Sequence, residues 1–174
     1  LHGAQGKGKS TFIRHLLPPE LKDYYRNGMI IPENNNHLLQ LSSCLLINLD
    51  EFDTLSPERM QNLKSLITQD VVNERKVYDI QNYTYIRRAS FIASTNNPHC
   101  MPDVKENRRI LFSTLLNIDY HTPVNHEGIY AQAYALYRQG FQYWYENEEI
   151  TFLNNRNEAF RQKDPIEENL FFYF

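Results

Sequence analysis

Three short apolar runs divide the chain and predict buried strands. They cover residues 44–49, 89–93 and 110–112, and the first, Cys-Leu-Leu-Ile-Asn-Leu, is almost unbroken. Continuous apolar runs of this length are typical of strands that are covered on both faces, as in parallel sheets. The pattern therefore indicates a buried sheet rather than a half-exposed one.

Helical segments lie between and after these strands. Residues 9–17 are expected to form a helix, and Ser56 followed by Pro57 predicts the start of another, with a serine cap and a proline in the first turn. From about residue 126 the pattern becomes helical and carries an aromatic face, which we interpret as core or interface. That face consists of Tyr134, Tyr137, Phe141, Trp144 and Tyr145. Strands alternating with helices indicate an α/β domain with a mostly parallel sheet.

The composition fits a soluble globular domain. The chain has 174 residues, 41% hydrophobic and 22% charged, and no apolar run long enough to span a membrane. Its two cysteines, Cys44 and Cys100, form no metal-ligand pattern, and we expect a reduced, cytoplasmic environment. The net charge of -3 argues against wholesale wrapping around nucleic acid but is compatible with a local basic patch.

The first residues contain a phosphate-binding motif. Residues 3–10, Gly-Ala-Gln-Gly-Lys-Gly-Lys-Ser, match the P-loop pattern G-x-x-x-x-G-K-[ST] without departure. The glycines let the backbone curl so that successive N–H groups point at phosphate oxygens, Lys9 reaches the β- and γ-phosphates, and the Ser10 hydroxyl ligates Mg²⁺. We therefore predict binding of ATP and Mg²⁺. The predicted nucleotide-binding residues are Gly3, Ala4, Gln5, Gly6, Lys7, Gly8, Lys9, Ser10 and Thr11.

An acidic pair follows the 44–49 run. Asp50 and Glu51 stand at the carboxyl end of that predicted strand, where ligands bind in open α/β sheets. We expect Asp50 to hold Mg²⁺, directly or through water, and Glu51 to act as the general base on the attacking water. An acid beside the metal-binding aspartate favours phosphoryl transfer to water over transfer to a bound small molecule. The alternative is a solvated acidic turn that includes Asp53.

Asn96 ends the next predicted strand. A neutral amide at this position can sense the γ-phosphate or orient water between that phosphate and Glu51. Asparagine after a strand is also a common turn former, which is the alternative.

Two arginines, Arg108 and Arg109, precede the 110–112 run. Arginine is always charged and stabilises the transferring phosphoryl group, either in its own subunit or from a neighbouring one. We predict that one of the two is an arginine finger, that is, an arginine that contacts the transferring phosphoryl group, without choosing between them. The alternative is a pair of arginines on the surface.

The 71–88 segment combines basic and aromatic residues. Its β-branched and aromatic residues on either side of Gln81 and Asn82 predict a hairpin. Basic residues interleaved with tyrosines suit contact with the backbone and bases of single-stranded DNA, whereas a solvated hairpin with packed tyrosines is the alternative. The basic residues are Arg75, Lys76, Arg87 and Arg88.

Taken together, the motifs resemble the virulence-associated protein E family, P-loop ATPases related to superfamily 3 helicases and to the primase–helicases of phages and mobile elements. The matching segments, from residue 1 to about residue 150, are GAQGKGKST, CLLINLDEFD, NLKSLITQDVV with ERKVY, RRASFIASTNN and NRRILF. The resemblance implies a three-layer, AAA+-like P-loop fold with a Walker A loop at 3–10 and a Walker B pair at Asp50 and Glu51. It also implies a sensor at Asn96, a DNA-facing hairpin, and a finger at Arg108 or Arg109 acting across a hexameric ring.

We therefore expect a Mg²⁺-dependent, ATP-hydrolysing DNA motor of the superfamily 3 helicase type that belongs to a replication protein of a phage or mobile element. We expect an ATPase core at residues 1–115 and a helical segment at 116–174. Little strand precedes Gly3 and the chain ends on apolar residues, so we interpret it as a piece of a larger protein with the first strand truncated. One alternative is a nucleotide-binding switch or scaffold without motor activity. Another is a P-loop kinase for a small metabolite, which the acidic pair disfavours.

Overall fold

The computed structural model of the protein describes residues 1–28, 35–50, 52–75, 81–101 and 109–162. Within these ranges the helices are α1 (Lys9–Arg14), α2 (Asn35–Ser43), α3 (Pro57–Thr68), α4 (His126–Arg138) and α5 (Glu148–Asn157). The strands are β1 (Tyr25–Asn27), β2 (Leu46–Leu49), β3 (Val71–Arg75), β4 (Asn82–Ile86) and β5 (Ser90–Ala93). Short 3₁₀ segments cover Pro19–Tyr24, Phe52–Thr54 and Glu158–Phe160. The protein is thus α/β, and α1 is shorter than the predicted 9–17 helix.

The main sheet is parallel and has β2 at its centre. Its strand order is β1-β2-β5, with Tyr25 opposite Leu46 on one side and Ser90 opposite Leu46 on the other. The two strands predicted at 44–49 and 89–93 are confirmed in β2 and β5. Both Ile47 and Asn48 are fully buried. Because successive strand residues point to opposite faces, the sheet is covered on both sides at this point.

The first residues of the chain continue the parallel pairing beyond β5. The Thr95 N–H donates to the Leu1 carbonyl at 3.0 Å, and the Gly3 N–H donates to the Thr95 carbonyl at 3.3 Å. On the opposite edge, the His2 N–H donates to the Ser113 carbonyl at 2.9 Å and the Leu115 N–H to the His2 carbonyl at 2.8 Å. The loop that follows Gly3 therefore leaves the sheet between two parallel neighbours.

The strand predicted at residues 110–112 is wrong in position, because the residues that pair with His2 are 113–115. The apolar residues just before them serve packing instead. The Phe112 ring is buried and stacks on Phe160, with ring centroids 4.4 Å apart. The Ile110 carbonyl accepts a hydrogen bond of 2.9 Å from the Asn157 side chain. The apolar run thus marks contact with the C-terminal region rather than strand pairing.

Strands β3 and β4 form the predicted hairpin pair. They are antiparallel, with Val71 opposite Ile86 and Arg75 opposite Asn82. Asn82 therefore begins β4 and is not part of the turn, which corrects the predicted centre of the hairpin. The connecting residues 76–80 lie outside the described ranges.

Helix α3 closes the core beside β2. The Ser56 side chain accepts a hydrogen bond from the Arg59 N–H at 3.3 Å, and Pro57 occupies the first turn, as the sequence predicted. Met60 and Leu63 are buried together with the Leu49 side chain in the main hydrophobic cluster. Each fully buried leucine contributes about 1.5–3 kcal/mol relative to an exposed one.

Helix α4 lies on the surface and is held to α1. None of its residues is buried, and Tyr134 is 62% exposed, so the part of the predicted aromatic face that lies on α4 is not core in this chain, and its alternative role as an interface stays a prediction. The His126 ring contacts the His15 carbonyl through Nε2 at 2.8 Å, and the Tyr130 hydroxyl donates to the Leu16 carbonyl at 3.2 Å.

Among the helices in the described ranges, none is both long and apolar enough to cross a membrane.

Candidate nucleotide site

The loop at residues 3–8 has the backbone conformation that its glycines allow. Gly6 and Gly8 have φ angles of +76° and +79°, in the left-handed region where a side chain is disfavoured. A Cβ at Gly3 would lie 2.8 Å from the Leu115 carbonyl oxygen, so this glycine permits a close backbone approach. The loop ends at Gly8, which caps α1. The curled backbone leaves room for an anion in front of the loop.

Lys9 is held beneath this loop. Its side chain is only 7% exposed, and its Nζ donates to the Gly3 carbonyl at 2.7 Å, the Ala4 carbonyl at 2.9 Å and Asn96 Oδ1 at 2.6 Å. Burial lowers the pKa of the Lys9 ammonium, while the carboxylates of Asp50 and Asp53 oppose that shift. The three acceptors fix the position of the cation relative to the loop.

Asp50 follows β2 and is fixed from the neighbouring strand. The Ser94 hydroxyl, just after β5, donates to Asp50 Oδ1 at 2.9 Å. Because β2 and β5 are parallel neighbours, their carboxyl ends lie at the same edge of the sheet. One carboxylate oxygen is thereby oriented by a hydroxyl.

The two asparagines after β5 do different things. The Asn97 side-chain oxygen accepts from the His99 N–H at 2.9 Å, which is the contact of a turn former. The Asn96 side chain instead contacts Lys9. Asn97 thus makes the turn contact, whereas Asn96 faces the lysine of the loop, and the role of Asn96 as a sensor stays a prediction.

A cavity of about 600 Å³ lies in front of the loop. Residues 5–11 line it, and so do Asp50, Asp53, Ser94, Asn96 and Tyr120. Its volume is within the range of pockets that bind small ligands, roughly 300–1,000 Å³. Tyr120 is a lining residue that the sequence analysis missed, because no motif or periodicity marks it.

The oxygen-bearing side chains of this cavity suit a hard cation. Ser10 and Asp50 both line it, and hydroxyl and carboxylate oxygens are ligands that Mg²⁺ accepts together with phosphate and water. In the described ranges there is no group of three or more His, Cys, Asp or Glu side chains that would hold a metal by itself. Ser10 and Asp50 are therefore the two side chains of this cavity that could hold such a cation, and a Mg²⁺ site stays a prediction.

Not all predicted site residues meet at this cavity. Lys9, Ser10, Asp50 and Asn96 do, whereas Arg109 lines a separate cavity of about 470 Å³. Glu51 and Arg108 lie outside the described residues. Arg109 is thus not among the residues that line the first cavity, and its role as a finger stays a prediction.

The basic residues of the hairpin are also divided. Arg87 is engaged in the structure, because its Nε and Nη1 donate to the carbonyls of Gln69 and Ala89, each at 2.6 Å. Arg88 is exposed. Lys76 and the side chain of Arg75 lie outside the description.

Comparisons with known proteins are consistent with the motif order. Residues 1–162 match the family described as the virulence-associated protein E-like domain. No curated protein matches the sequence. Two apo structures of the C-terminal region of NrS-1 are similar, at 17% and 19% identity and TM-scores of 0.48 and 0.49. Each match covers 91% of this chain but 33% and 34% of the solved chains, so the chain spans about a third of their length.

Proposed function

The chain belongs to the virulence-associated protein E-like family, and we propose that it is a Mg²⁺-dependent ATPase that drives a DNA motor of the superfamily 3 helicase type. Its role would be in the replication of a phage or mobile element. The observation that carries the proposal is the cavity in front of the loop, which Lys9, Ser10, Asp50 and Asn96 line together. Lys9 is held there by hydrogen bonds to Asn96 and to the loop.

We infer a three-layer, AAA+-like P-loop core from the sheet. The loop leaves between parallel neighbours at Thr95 and Thr114, and β2 is buried on both faces. A loop that leaves the carboxyl edge of such a sheet is where phosphate ligands bind in α/β proteins.

Each side chain has a separate task in this proposal. The loop N–H groups and Lys9 bind the triphosphate, and Ser10 and Asp50 hold Mg²⁺, with Ser94 keeping the carboxylate in place. The metal would supply charge neutralisation for the phosphates. Glu51 takes the proton of the attacking water, and Asn96 orients that water. An acid beside the metal-binding aspartate favours transfer to water over transfer to a bound small molecule, so we propose hydrolysis rather than a P-loop kinase reaction.

DNA contact is assigned to the β3–β4 hairpin. Arg88 is exposed, and the neighbouring rings of Tyr83 and Tyr85 lie 6.4 Å apart on β4. Exposed cations bind phosphates, and aromatic rings stack on unpaired bases. The combination of Arg88 with the two tyrosines therefore suits contact with single-stranded DNA. The working form would be a homo-oligomeric ring of six subunits.

The test is ATP hydrolysis by the purified protein with and without single-stranded DNA. We expect Mg²⁺-dependent hydrolysis that single-stranded DNA accelerates about 5-fold or more, with an increase in oligomer size. Arg88→Ala should reduce the stimulation but leave the basal rate unchanged, while Arg156→Ala, an exposed arginine on α5, should change neither. ATP binding with slow turnover and no response to DNA would instead identify a nucleotide switch.

The separation of Arg109 from the cavity leads to a second expectation. If the finger acts between subunits, Arg109→Ala or Arg108→Ala should lower kcat roughly 10³-fold without loss of ATP binding. Mixing the inactive finger variant with inactive Lys9→Ala subunits should then restore part of the activity, because some interfaces combine an intact loop with an intact arginine. No recovery in the mixture would contradict a finger in trans.

A further inference from the structure

The Tyr120 ring lies directly against the phosphate-binding loop. A Cβ placed on Gly8 would lie 2.2 Å from Tyr120 Cδ1 and 2.7 Å from Cε1, so ring and glycine are in van der Waals contact. Gly6 has the same left-handed conformation but nothing within 4 Å of its Cβ position. Gly8 is therefore required for two reasons, its φ angle and the aromatic ring beside it.

A tight turn fixes the place of this ring. The Asp119 carboxylate accepts from the N–H groups of His121 at 3.0 Å and Thr122 at 3.1 Å, and from the Thr122 hydroxyl at 2.6 Å. These bonds lower the pKa of the Asp119 carboxyl, with the Thr122 hydroxyl as the largest cause. The His121 ring lies 4.3 Å from the Tyr120 ring, between centroids. The ring is thus presented by a defined turn rather than by a free loop.

Tyr120 is also the aromatic residue of the cavity. The other described residues that line it are small, polar or charged, whereas Tyr120 is 38% exposed and offers the apolar surface. A nucleoside triphosphate has one flat apolar part, its base, which the ribose connects to the phosphates. In the proposed function the loop binds the phosphates, and Tyr120 lines the same cavity beside Gly8 without being part of the loop.

We propose that Tyr120 is the base-contacting residue of this site and that the ring packs on the nucleobase of the bound nucleotide. The inference rests on the proposed nucleotide binding and extends it to the base. Stacking uses the π-face that every base has, so the contact adds affinity for nucleotides in general and more for the larger purines.

Binding of two ligands separates this role from a merely structural one. Isothermal titration calorimetry in Mg²⁺ should compare ATP with inorganic tripolyphosphate, which has the phosphates but no base. Tyr120→Ala is expected to weaken ATP binding roughly 5- to 100-fold, the range of one base–aromatic stack, while tripolyphosphate binding stays within about twofold. Tyr120→Phe should bind both ligands as the unchanged protein does. Tyr134→Ala, on the exposed face of α4, is the matched control.

Each result has a distinct meaning. Equal weakening of both ligands by Tyr120→Ala would overturn the proposal and leave Tyr120 as a support for the loop. Unchanged ATP binding would overturn it as well. If the unchanged protein binds neither ligand, the proposed nucleotide site itself fails. Thermal melting shows whether Tyr120→Ala is folded; if it is not, Tyr120→Leu retains apolar volume without a flat ring and should show the same selective loss.

Discussion

Replacement of Lys9 by alanine is expected to lower the kcat/KM for ATP roughly 10²- to 10³-fold or more, the usual effect of losing one group that stabilises transition-state charge. Lys9 is the cation placed under the loop, with Nζ within 2.9 Å of two loop carbonyls and Asn96. Lys9 and Asn96 both line a cavity large enough for water, so water can replace the ammonium there and the fold should persist. The measurements are steady-state hydrolysis, calorimetric ATP binding and thermal melting.

Lys22→Ala provides the control for this variant. Lys22 is an exposed lysine in the 3₁₀ segment before β1 and does not line the cavity. Lys22→Ala removes one positive charge, as Lys9→Ala does, but it removes that charge away from the cavity. It should therefore leave ATP hydrolysis and ATP binding unchanged. Normal turnover by Lys9→Ala would exclude this cavity as the hydrolytic site.

Glu51→Gln is expected to separate binding from hydrolysis. A general base contributes about 10²- to 10⁴-fold to a rate, so kcat should fall by that factor. ATP binding should remain, because Lys9, Ser10 and Asp50 are unchanged and glutamine is nearly isosteric with glutamate. A single-turnover measurement tests the loss of hydrolysis, and calorimetric titration with ATP tests whether binding remains.

Glu58→Gln serves as the matched control, because Glu58 is exposed in the first turn of α3. Asp50→Asn should differ from both, since it removes the carboxylate that Ser94 orients and weakens the response to Mg²⁺. If Glu51→Gln hydrolyses ATP at the normal rate, the base is another group and the assignment of Glu51 is wrong.

Local signals in the sequence were sufficient for the elements that build the site. The apolar run before Asp50 predicted β2, and Ser56 with Pro57 predicted the start of α3, because each depends on neighbouring residues alone. The P-loop pattern likewise depends on the backbone freedom of glycines at fixed spacing. The roles of Asp50 and Asn96 followed from the rule that ligands bind at the carboxyl ends of parallel strands, and they remain predictions.

Contacts between distant segments were beyond local reasoning. The 110–112 run was interpreted as a strand, although its hydrophobicity serves the stacking of Phe112 on Phe160. Helical periodicity predicted that the aromatic residues of α4 form core or an interface, but periodicity does not tell a face buried in the chain from one left exposed, as this face is. Tyr120 escaped notice because its contact with Gly8 joins residues far apart in the chain.

Both ends of α1 are held by residues beyond the border predicted at 115. Tyr120 touches Gly8 before the helix, and His126 and Tyr130 contact the carbonyls of His15 and Leu16 after it. A shortened protein that stops at residue 115 would keep the whole P-loop motif but lose these three anchors. If this shortened protein does not bind nucleotide, the cause would be the loss of these contacts around α1 and not a defect in the P-loop motif. A minimal ATPase should therefore retain α4.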